Sequence, residues 1–271
     1  MSITALSREQ ESGAFGESLR RYRSARRMSQ LHLALACDVS ARHLSFLESG
    51  RAKPSRDMVL KLAGGMLLPL SARNTLLQSA GFAAVFPASP LDSEALIPFR
   101  AILDDMIARH APNPALLVDR YWNILDTNAT ARALLGAMQP ESGESNVIRM
   151  LTDNPNAPQL FANYSDVLAE ITARMQLEAL EAGDDPVLEA LLADLHAASA
   201  QHPPADTDAV RRPLMPLILN VPGIQLSFLT TIAHFGTSQD VTIRDLRLEL
   251  LFPADDQTRE AMVALAASIQ T

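Results

Sequence analysis

The stretch from Met28 to Ser55 (MSQLHLALACDVSARHLSFLESGRAKPS) constrains the fold of this chain more than any other. It contains two short runs of helical periodicity, preceded by Ser29 and Ser40. Serine is favoured at a helix N-cap because its side-chain oxygen accepts a hydrogen bond from a free N–H group of the first turn. Asp38-Val39 interrupts the apolar pattern between the two runs. The sequence therefore predicts two short helices joined by a tight turn.

The second predicted helix has two chemically different faces. Its apolar face combines Leu44 and Leu47 with Val39, and its other face carries Arg42, His43, Ser45 and Phe46. In the first helix the apolar residues at helical spacing are Leu31, Leu35 and Ala36, which we expect to face the core. A short helix with one such polar face suits a helix-turn-helix, in which the second helix lies in the major groove of DNA.

Charge is distributed unevenly along the 271 residues, whose formal net charge is −8. Residues 1–82 contain 12 Lys and Arg against 6 Asp and Glu, a net charge of +6. The rest of the chain contains 11 basic and 25 acidic residues, a net charge of −14. Two surfaces of accidental sign would also give these numbers. A basic segment around the helix pair nevertheless favours phosphate binding at one end of the molecule.

Periodicity and breaker residues predict an all-α five-helix bundle over residues 15–82, behind a disordered arm at 1–14. Besides the helix pair, its predicted helices are Phe15–Arg27, Arg56–Gly64 and Ala72–Ala80. Residues 83–92 contain two prolines in an uncharged stretch, AAVFPASPL, which indicates a semi-rigid linker.

Residues 93–271 alternate between helical and strand-like patterns. The predicted helices are Ser93–His110, Asn128–Leu135, Asn163–Ala182, Pro186–Ser199 and Asp255–Ile269. The predicted strands are 115–119 and 122–126, with Asp119-Arg120-Tyr121 as their turn, then Leu214–Val221, Gln225–His234 and Val241–Phe252. This order favours an α+β, PAS-like domain with an antiparallel sheet of about five strands. The chain is thus expected to have two domains, 15–82 and 93–271.

Cysteine content and hydropathy limit where such a chain works. The single cysteine, Cys37, excludes a disulfide framework within the chain. The N-terminal residues lack a signal-peptide pattern, and no apolar run approaches the ~20 residues that span a bilayer. We therefore expect a cytoplasmic protein without membrane insertion, associated with a bacterial nucleoid if it binds DNA.

Two resemblances refine this view. Residues 15–82 resemble the XRE (Cro/C1-type) helix-turn-helix family in Leu19-Arg20 with Arg23, Met28-Ser29-Gln30, Leu35-Ala36, Val39-Ser40, Leu44-Ser45, Leu47-Glu48-Ser49-Gly50-Arg51 and Pro54-Ser55. The C-terminal part resembles the MmyB/MltR-like ligand-binding domain, a PAS-related module, in Pro114 to Asp119, Trp122-Asn123, Asn128, Phe235-Gly236-Thr237 and Phe252-Pro253-Ala254-Asp255. Residues 140–212 match it poorly.

The resemblance implies a transcriptional regulator that forms a homodimer, binds a two-fold operator in double-stranded DNA and responds to a small, lipid-like effector such as a fatty acid. It also implies a structural ion pair between Arg23 and Glu48. Gln30 matches the position of the family's phosphate clamp, where the amide and a helix N-terminus both face the DNA backbone.

Arg42 is the residue best suited to read a base, because a guanidinium pairs bidentately with guanine. Phe46, one turn further, is predicted to contact a thymine methyl group; the alternative is a partly buried packing residue. The remaining predicted DNA contacts are Ser40, Ala41 and Ser45, near bases or phosphates, and His43, Arg51, Lys53 and Arg56, at phosphates or simply in solvent.

The C-terminal domain supplies apolar residues that could line a cavity. The candidates are Tyr121, Trp122, Met150, Phe161, Tyr164, Phe228 and Phe235, with Asn128, Arg149 and His234 as groups for a ligand's polar end. An ordinary core explains the same residues, and the family likeness is what favours a pocket.

Three other interpretations remain open. An enzyme is not expected, since the chain contains none of the HExxH, GxSxG, GxGxxG or P-loop motifs. The six histidines lack the spacing of a zinc site, and a haem would need an axial ligand such as His234. Cys37 is either a redox switch or a small buried thiol. An antitoxin-like or scaffold protein could use the same DNA-binding part without any effector.

Overall fold

The structure is a computed structural model that describes residues 3–136, 145–183, 185–203, 214–236 and 238–269, with side chains from Ala14 onward. These residues form two compact units. The first comprises the chain through Ala88 together with Gln176–Pro186 and Gln239–Val241. The second comprises Ser89–Met175, Val187–Ser238 and the residues from Thr242. The two later segments of the first unit lie within residues 93–271, the predicted C-terminal domain.

Five helices build the first unit: α1 (Ile3–Ala25), α2 (Gln30–Ala36), α3 (Ala41–Glu48), α4 (Arg56–Gly65) and α5 (Leu70–Ser79). Ser29, Ser40 and Ser55 cap α2, α3 and α4, each accepting a hydrogen bond from the backbone N–H three residues later. The predicted five-helix bundle is confirmed.

The bundle core fixes α3 against α1. Leu19, Leu33, Leu44 and Leu47 are fully buried in one apolar cluster. Gly16 permits the close approach of the two helices, because a Cβ atom there would lie 2.6 Å from the carbonyl oxygen of Glu48. The inner face of α3 is therefore held firmly, and its outer face is left for other partners.

Two expectations for this unit differ from the structure. Helix α1 begins at Ile3 instead of Phe15, so residues 3–14 are helical where a disordered arm was expected. That stretch contains no proline and is rich in good helix formers. Leu31 and Leu35 are 60% and 72% exposed, and the core takes Leu33 and Ala34 from α2 instead. The seven residues of α2 are too few for periodicity to identify the buried face.

The second unit contains a 3-10 turn (Glu94–Leu96) and helices α6 (Ile97–Arg109), α7 (Ala129–Gly136), α8 (Val147–Thr152), α9 (Ala157–Leu160), α10 (Tyr164–Ala182), α11 (Pro186–Gln201), α12 (Val241–Asp245) and α13 (Asp256–Ile269). Parts of α10 and α12 belong to the first unit. Its strands are β1 (Ala115–Val118), β2 (Ile124–Thr127), β3 (Leu217–Val221), β4 (Ile224–His234) and β5 (Arg247–Pro253).

The five strands form one antiparallel sheet in the order β2-β1-β5-β4-β3. Residues directly opposite each other share a face, so Leu116, Glu249, Leu251, Leu217 and Leu219 lie on one side. The other side carries Ala115, Leu117 and Leu248, which pack with Leu103 and Ile107 of α6. The predicted α+β fold with a five-stranded antiparallel sheet is confirmed.

Several element boundaries in this unit correct the expectations. The predicted strand Val241–Phe252 begins as helix α12 and becomes a strand only at Arg247. Only in the second half of this stretch do apolar residues alternate with polar ones so that they lie on one face. This second half is the part that pairs with β1 and β4. Strand β2 begins at Ile124 because Trp122 adopts a left-handed conformation, with φ 67°. The short helices α8 and α9 had no sequence signal strong enough to predict them.

Candidate functional site

The outer face of α3 combines an exposed arginine with a half-buried aromatic ring. Arg42 is exposed, and its Cζ atom lies 5.4 Å from the centroid of the Phe46 ring. A guanidinium stacked on an aromatic face keeps its N–H edge available for planar acceptors. The structure thus brings together the two residues predicted to read bases, and it gives Phe46 a second contact besides any thymine methyl group.

The turn between α2 and α3 sets the orientation of this face. Asp38 has φ 46°, in the left-handed region that tight turns require and that Asp tolerates better than most residues. The Ser40 side chain then accepts from the N–H of His43 at 3.1 Å. Ser40 is exposed, and Ala41, His43 and Ser45 are half-buried.

Glu48, at the end of α3, anchors a buried polar cluster. Its side chain is 1% exposed and accepts from Arg23 Nε and Nη2 at 2.5 and 2.9 Å. Gln30 Nε2 donates to the same carboxylate at 2.7 Å, and Arg20 approaches to 3.6 Å. The structure therefore contains the Arg23–Glu48 ion pair that the resemblance implies.

Burial alone would raise the pKa of the Glu48 carboxyl. The hydrogen bonds from Arg23 and Gln30 and the charges of Arg23 and Arg20 outweigh that effect, so the pKa lies below its usual value. One N–H of Gln30 is thereby committed to Glu48. Its second N–H is left to donate in the phosphate contact predicted from the resemblance.

The remaining predicted phosphate contacts lie after α3. Arg51 and Lys53 are exposed in the loop, and Arg56 is exposed in the first turn of α4. Backbone N–H groups of Arg51 and Ala52 both donate to the carbonyl of Phe46, which closes the loop onto the end of α3. The three cations therefore flank the helix that carries Arg42.

The second unit contains an apolar cavity of about 300 Å³ on the sheet face that carries Leu116 and Glu249. It is lined by residues of β1, β3, β4, β5, α7, α8 and α10, among them Leu116, Ala131, Leu134, Met150, Leu151, Phe161, Ile171, Leu217, Leu219 and Leu251. Such a volume is at the lower end of the ~300–1,000 Å³ typical of small-molecule sites.

Polar groups converge at one side of this cavity. Arg174 Nη2 donates to Glu249 Oε1 at 2.9 Å, and the Arg174 guanidinium lies 4.3 Å from the centroid of the Trp122 ring. Glu170 and Thr230 also line the cavity and are exposed. The cavity therefore has an apolar body and one end with both hydrogen-bond donors and acceptors.

Three of the predicted ligand residues, Trp122, Met150 and Phe161, line the cavity. The three predicted polar-end groups lie elsewhere. Asn128 is buried in a structural network, where it accepts from Ala115 N and donates to Asn113 O. Arg149 pairs with Asp194 and Asp153, and His234 is exposed at the end of β4.

The other predicted lining residues have packing roles. The Tyr164 hydroxyl donates to Leu151 O at 2.6 Å, and Phe228 is fully buried in the core. Tyr121 lies beneath the Arg120 guanidinium, and Phe235 packs edge-on against Phe99 at 5.1 Å. These four aromatic residues are not among those that line the cavity.

Sequence reasoning missed Arg174 and Glu249, which form the polar end. They lie 75 residues apart, so spacing gave no reason to pair them. A usable signal existed in each element: Arg174 shares a helical face with Val167 and Ile171, and Glu249 sits between leucines in a buried strand. A charge in a buried strand is uncommon and normally has a partner.

This combination of a capped helix-turn-helix and a domain with an apolar cavity defines a DNA-binding transcription regulator with a ligand-binding domain. Residues 14–76 match the family model of a helix-turn-helix domain. Residues 99–265 match the MmyB-like transcription regulator ligand binding domain. The second match covers more than half of the chain, which therefore belongs to that family. No curated protein shows a significant match to the sequence.

None of the helices in the described ranges combines the length and the apolar character needed to cross a membrane. Within the same ranges, His, Cys, Asp and Glu side chains form no cluster of three or more suited to hold a metal ion.

Proposed function

We propose that this regulator is a homodimer that recognises a two-fold operator through α3. A small apolar ligand bound in the cavity beside Trp122 changes the affinity of the homodimer for this operator. The observation that carries the DNA-reading part is the division of α3 into two faces. Leu44 and Leu47 are fully buried, whereas Arg42 is exposed and stacked on Phe46. A helix held in this way can enter a major groove without losing core contacts.

Roles within the interface follow from side-chain chemistry. Arg42 pairs bidentately with a guanine, which contributes ~1–3 kcal/mol of discrimination against other bases. Phe46 contacts the methyl group of a neighbouring thymine. Gln30, Arg51, Lys53 and Arg56 contact phosphates, and Ser40, Ala41, His43 and Ser45 approach the groove edge. Phosphate contacts fix position and affinity, but they carry no sequence information.

The ligand is proposed from the composition of the cavity. Its walls are apolar except at Glu170, Arg174, Thr230 and Glu249. Burying alkyl surface there stabilises a complex by ~0.8 kcal/mol per CH₂ group. An apolar molecule with a single polar end, of the fatty-acid-like kind, fits such walls.

Coupling between ligand and DNA requires that the ligand binds one dimer arrangement better than another. Two recognition helices dock together only when their spacing matches half-sites about 34–36 Å apart. A ligand that changes this spacing changes operator affinity without touching DNA. We further propose that the protein acts at the bacterial nucleoid in the cytoplasm and has no enzymatic activity.

Operator selection tests the DNA-reading part. Wild-type protein and Arg42→Ala are each used to select sequences from a random duplex pool. The wild type is expected to yield a two-fold consensus, and the variant a consensus that has lost one position in each half-site. Arg51→Ala is the matched control, expected to weaken binding to all sequences alike. An unchanged consensus with Arg42→Ala would show that α3 is not the helix that reads the operator sequence.

Native mass spectrometry of the purified protein tests the other part, since it reports dimer formation and any retained small molecule together. Equal operator affinity with and without a saturating ligand would contradict the effector. Specific DNA binding by a protein that accepts no ligand would favour the antitoxin-like or scaffold alternative.

A further inference from the structure

Helix α10 contributes residues to both compact units. Its part up to Met175 belongs to the second unit, where Arg174 lines the polar end of the cavity. Gln176–Pro186, which contains the rest of the helix, belongs to the first unit together with the helix-turn-helix. The DNA-binding unit is therefore not built from N-terminal residues alone. Base reading by α3 does not by itself require a segment from this part of the chain.

The end of α10, Glu181–Gly183, packs closely against α1. Gly183 has φ 81°, the left-handed conformation in which glycine commonly follows the last residue of a helix. A Cβ atom at this position would overlap Cδ1 and Cε1 of the Tyr22 ring. Ala182, the last residue of α10, is buried as well. Glycine is thus required here both by its backbone conformation and by the ring beside it.

A hydrogen bond supports the same contact. Arg26, one turn after Tyr22 on α1, donates from Nη2 to the backbone carbonyl of Glu181 at 2.9 Å. Carbonyl groups in the last turn of a helix lack partners within the helix and lie at the negative end of its dipole, so a guanidinium is a favourable partner for them. The end of α10 is therefore joined to α1 by an apolar contact and by a charge-assisted hydrogen bond.

The tyrosine that contacts the end of α10 belongs to the core that positions α3. Tyr22 is 3% exposed and lies in the same apolar cluster as Leu44 and Leu47. The next residue on α1, Arg23, pairs with Glu48 at the end of α3. Because closely packed interiors transmit strain, a displacement of the Tyr22 ring disturbs the packing of α1 and α3. The end of α10 itself makes no contact proposed for DNA.

We infer that the end of α10 is a positioning element for DNA reading, and that α10 is the link through which a ligand in the cavity changes operator affinity. While the end of α10 contacts Tyr22 and Arg26, α1 holds α3 in the arrangement that binds the operator. Loss of this contact lowers operator affinity. The second part rests on the proposed ligand-binding function: Arg174 lies on the same uninterrupted helix, about two turns before Ala182.

The test compares Gly183→Ala with Gly223→Ala in the full chain, using a duplex that carries the consensus selected by the wild type. Gly223 has φ 84°, but an added Cβ atom there meets nothing within 4 Å. Both variants therefore carry the same kind of backbone strain, and only Gly183→Ala meets the Tyr22 ring. Gly183→Ala is expected to weaken operator binding by about tenfold, and Gly223→Ala by less than about twofold. Equal operator affinities of the two variants would overturn the positioning role.

Replacing Tyr22 distinguishes a specific contact from a general loss of stability. Leucine is shorter than tyrosine and has no ring, so adding Gly183→Ala to Tyr22→Leu should weaken operator binding by less than about twofold. Hydrogen exchange of α1 and α3 peptides should follow the same pattern, and this measurement requires no operator. If Gly183→Ala is as harmful in the Tyr22→Leu background as in the wild type, the ring contact does not position α1.

Arg26→Ala covers a failure of Tyr22→Leu to fold. Its matched control is Arg21→Ala, which removes the same charge from an exposed position on α1. Arg26→Ala is expected to weaken operator binding by about fivefold more than Arg21→Ala, because only Arg26 donates to the end of α10. Equal losses in the two variants would mean that Arg26 contributes only its charge, which would contradict the hydrogen bond as part of the positioning element.

Decanol tests the link to the cavity. Trp122 is the only tryptophan and lines the cavity, so its fluorescence reports decanol binding separately from DNA binding. Saturating decanol is expected to change the operator affinity of the wild type and of Gly223→Ala by about tenfold. Gly183→Ala is expected to bind decanol as the wild type does, but without a change in operator affinity.

The outcomes separate this inference from the proposed function. An equal effect of decanol on operator binding by the wild type and by Gly183→Ala would overturn α10 as the link, while the ligand response would stand. If decanol leaves the operator affinity of the wild type unchanged, the proposed ligand response is wrong and the link fails with it. The positioning role is then still decided by Gly183→Ala, whose effect on operator affinity requires no ligand.

Discussion

Arg23 of α1 and Glu48 of α3 are joined by two parallel hydrogen bonds in a place where the carboxylate is almost completely buried. Arg23 also donates to the carbonyl of Met28, just before α2. One guanidinium thus ties together three segments of the DNA-binding unit. Glu48 ends the helix that carries Arg42, so this ion pair fixes the position of the proposed reading helix while making no contact proposed for DNA.

Glu48→Ala is expected to destabilise the helix-turn-helix unit by about 3 kcal/mol, because Arg23 is left largely buried without its carboxylate. Hydrogen exchange of peptides from α1 and α3, followed by mass spectrometry, measures this effect where it occurs. Glu17→Ala is the control, since Glu17 is exposed on α1 and its loss should cost less than about 0.5 kcal/mol. Equal protection of α1 and α3 amides from exchange in Glu48→Ala and Glu17→Ala would contradict a structural role for the Arg23–Glu48 ion pair.

Acid should weaken the same unit through Glu48. A carboxyl whose pKa is lowered by folding contributes stability that is complete above its ordinary value of 4.5 and is lost as pH falls through the lower folded value. Calorimetry should therefore show that the unfolding transition depressed by Glu48→Gln at neutral pH approaches that of the wild type as pH drops below 4.5. A difference that stays constant with pH would show that Glu48 titrates normally.

The proposed DNA-reading surface was predictable from sequence because it depends on local chemistry. Caps, a turn and a two-faced helix lie within Met28–Ser55, and the structure forms them as that stretch predicts. The exposed Leu31 and Leu35 show the limit of the same reasoning. In a helix of seven residues, the packing of the whole bundle decides which side is buried.

The ligand cavity was predictable only in its apolar composition. Trp122, Met150 and Phe161 line it and are large apolar residues of the kind common in pockets. Arg174 and Glu249 were missed because antiparallel pairing and helix packing bring them together from distant parts of the chain. The strand predicted over residues 241–246 is instead a helical turn from Val241 to Asp245, because a stretch this short, with mixed apolar and polar residues, does not distinguish a strand from a single helical turn.

Phe46 is expected to support guanine recognition by Arg42 as well as to touch thymine. Phe46→Leu keeps an apolar contact but removes the aromatic face, so discrimination at the base read by Arg42 should fall by about 0.5–1 kcal/mol. Phe46→Tyr keeps the face and should stay close to the wild type. A double-mutant cycle with Arg42→Ala on operator duplexes measures the coupling between Arg42 and Phe46. Additive losses of binding free energy would show that the two side chains act independently.

Glu249 is expected to set the charge preference of the cavity. In the wild type the Glu249 carboxylate accepts a hydrogen bond from the Arg174 guanidinium. This interaction disfavours the binding of a ligand carboxylate to the same guanidinium. Glu249→Gln should tighten binding of decanoate relative to decanol by about tenfold, equivalent to ~1.4 kcal/mol. Glu170→Gln is the control, because Glu170 lines the same cavity but is exposed, and Trp122 fluorescence titrations report both variants. An unchanged ratio of decanoate to decanol affinity would mean that Glu249 does not hinder the binding of a ligand carboxylate to Arg174.

The effect of Gly65→Ala on stability is expected to change sign when Cys37 is replaced by alanine, as measured in a double-mutant cycle. A Cβ atom at Gly65 would lie 2.2 Å from Cys37 Sγ but 3.8 Å from Cys37 Cβ. Gly65→Ala alone should therefore destabilise the bundle by about 1–3 kcal/mol through overpacking. In a Cys37→Ala background the clash is gone, and the same change should stabilise α4 by up to about 1 kcal/mol, the helix preference of alanine over glycine.

Hydrogen exchange of α2 and α4 peptides in the four proteins measures this cycle. Burial raises the pKa of the Cys37 thiol, so a thiol reagent should modify the native wild type slowly and at the rate of local unfolding. Gly65→Ala should increase that rate, because it displaces the sulfur from its place beside α4. Fast modification of the native wild type, with loss of operator binding, would instead favour the redox-switch interpretation of Cys37.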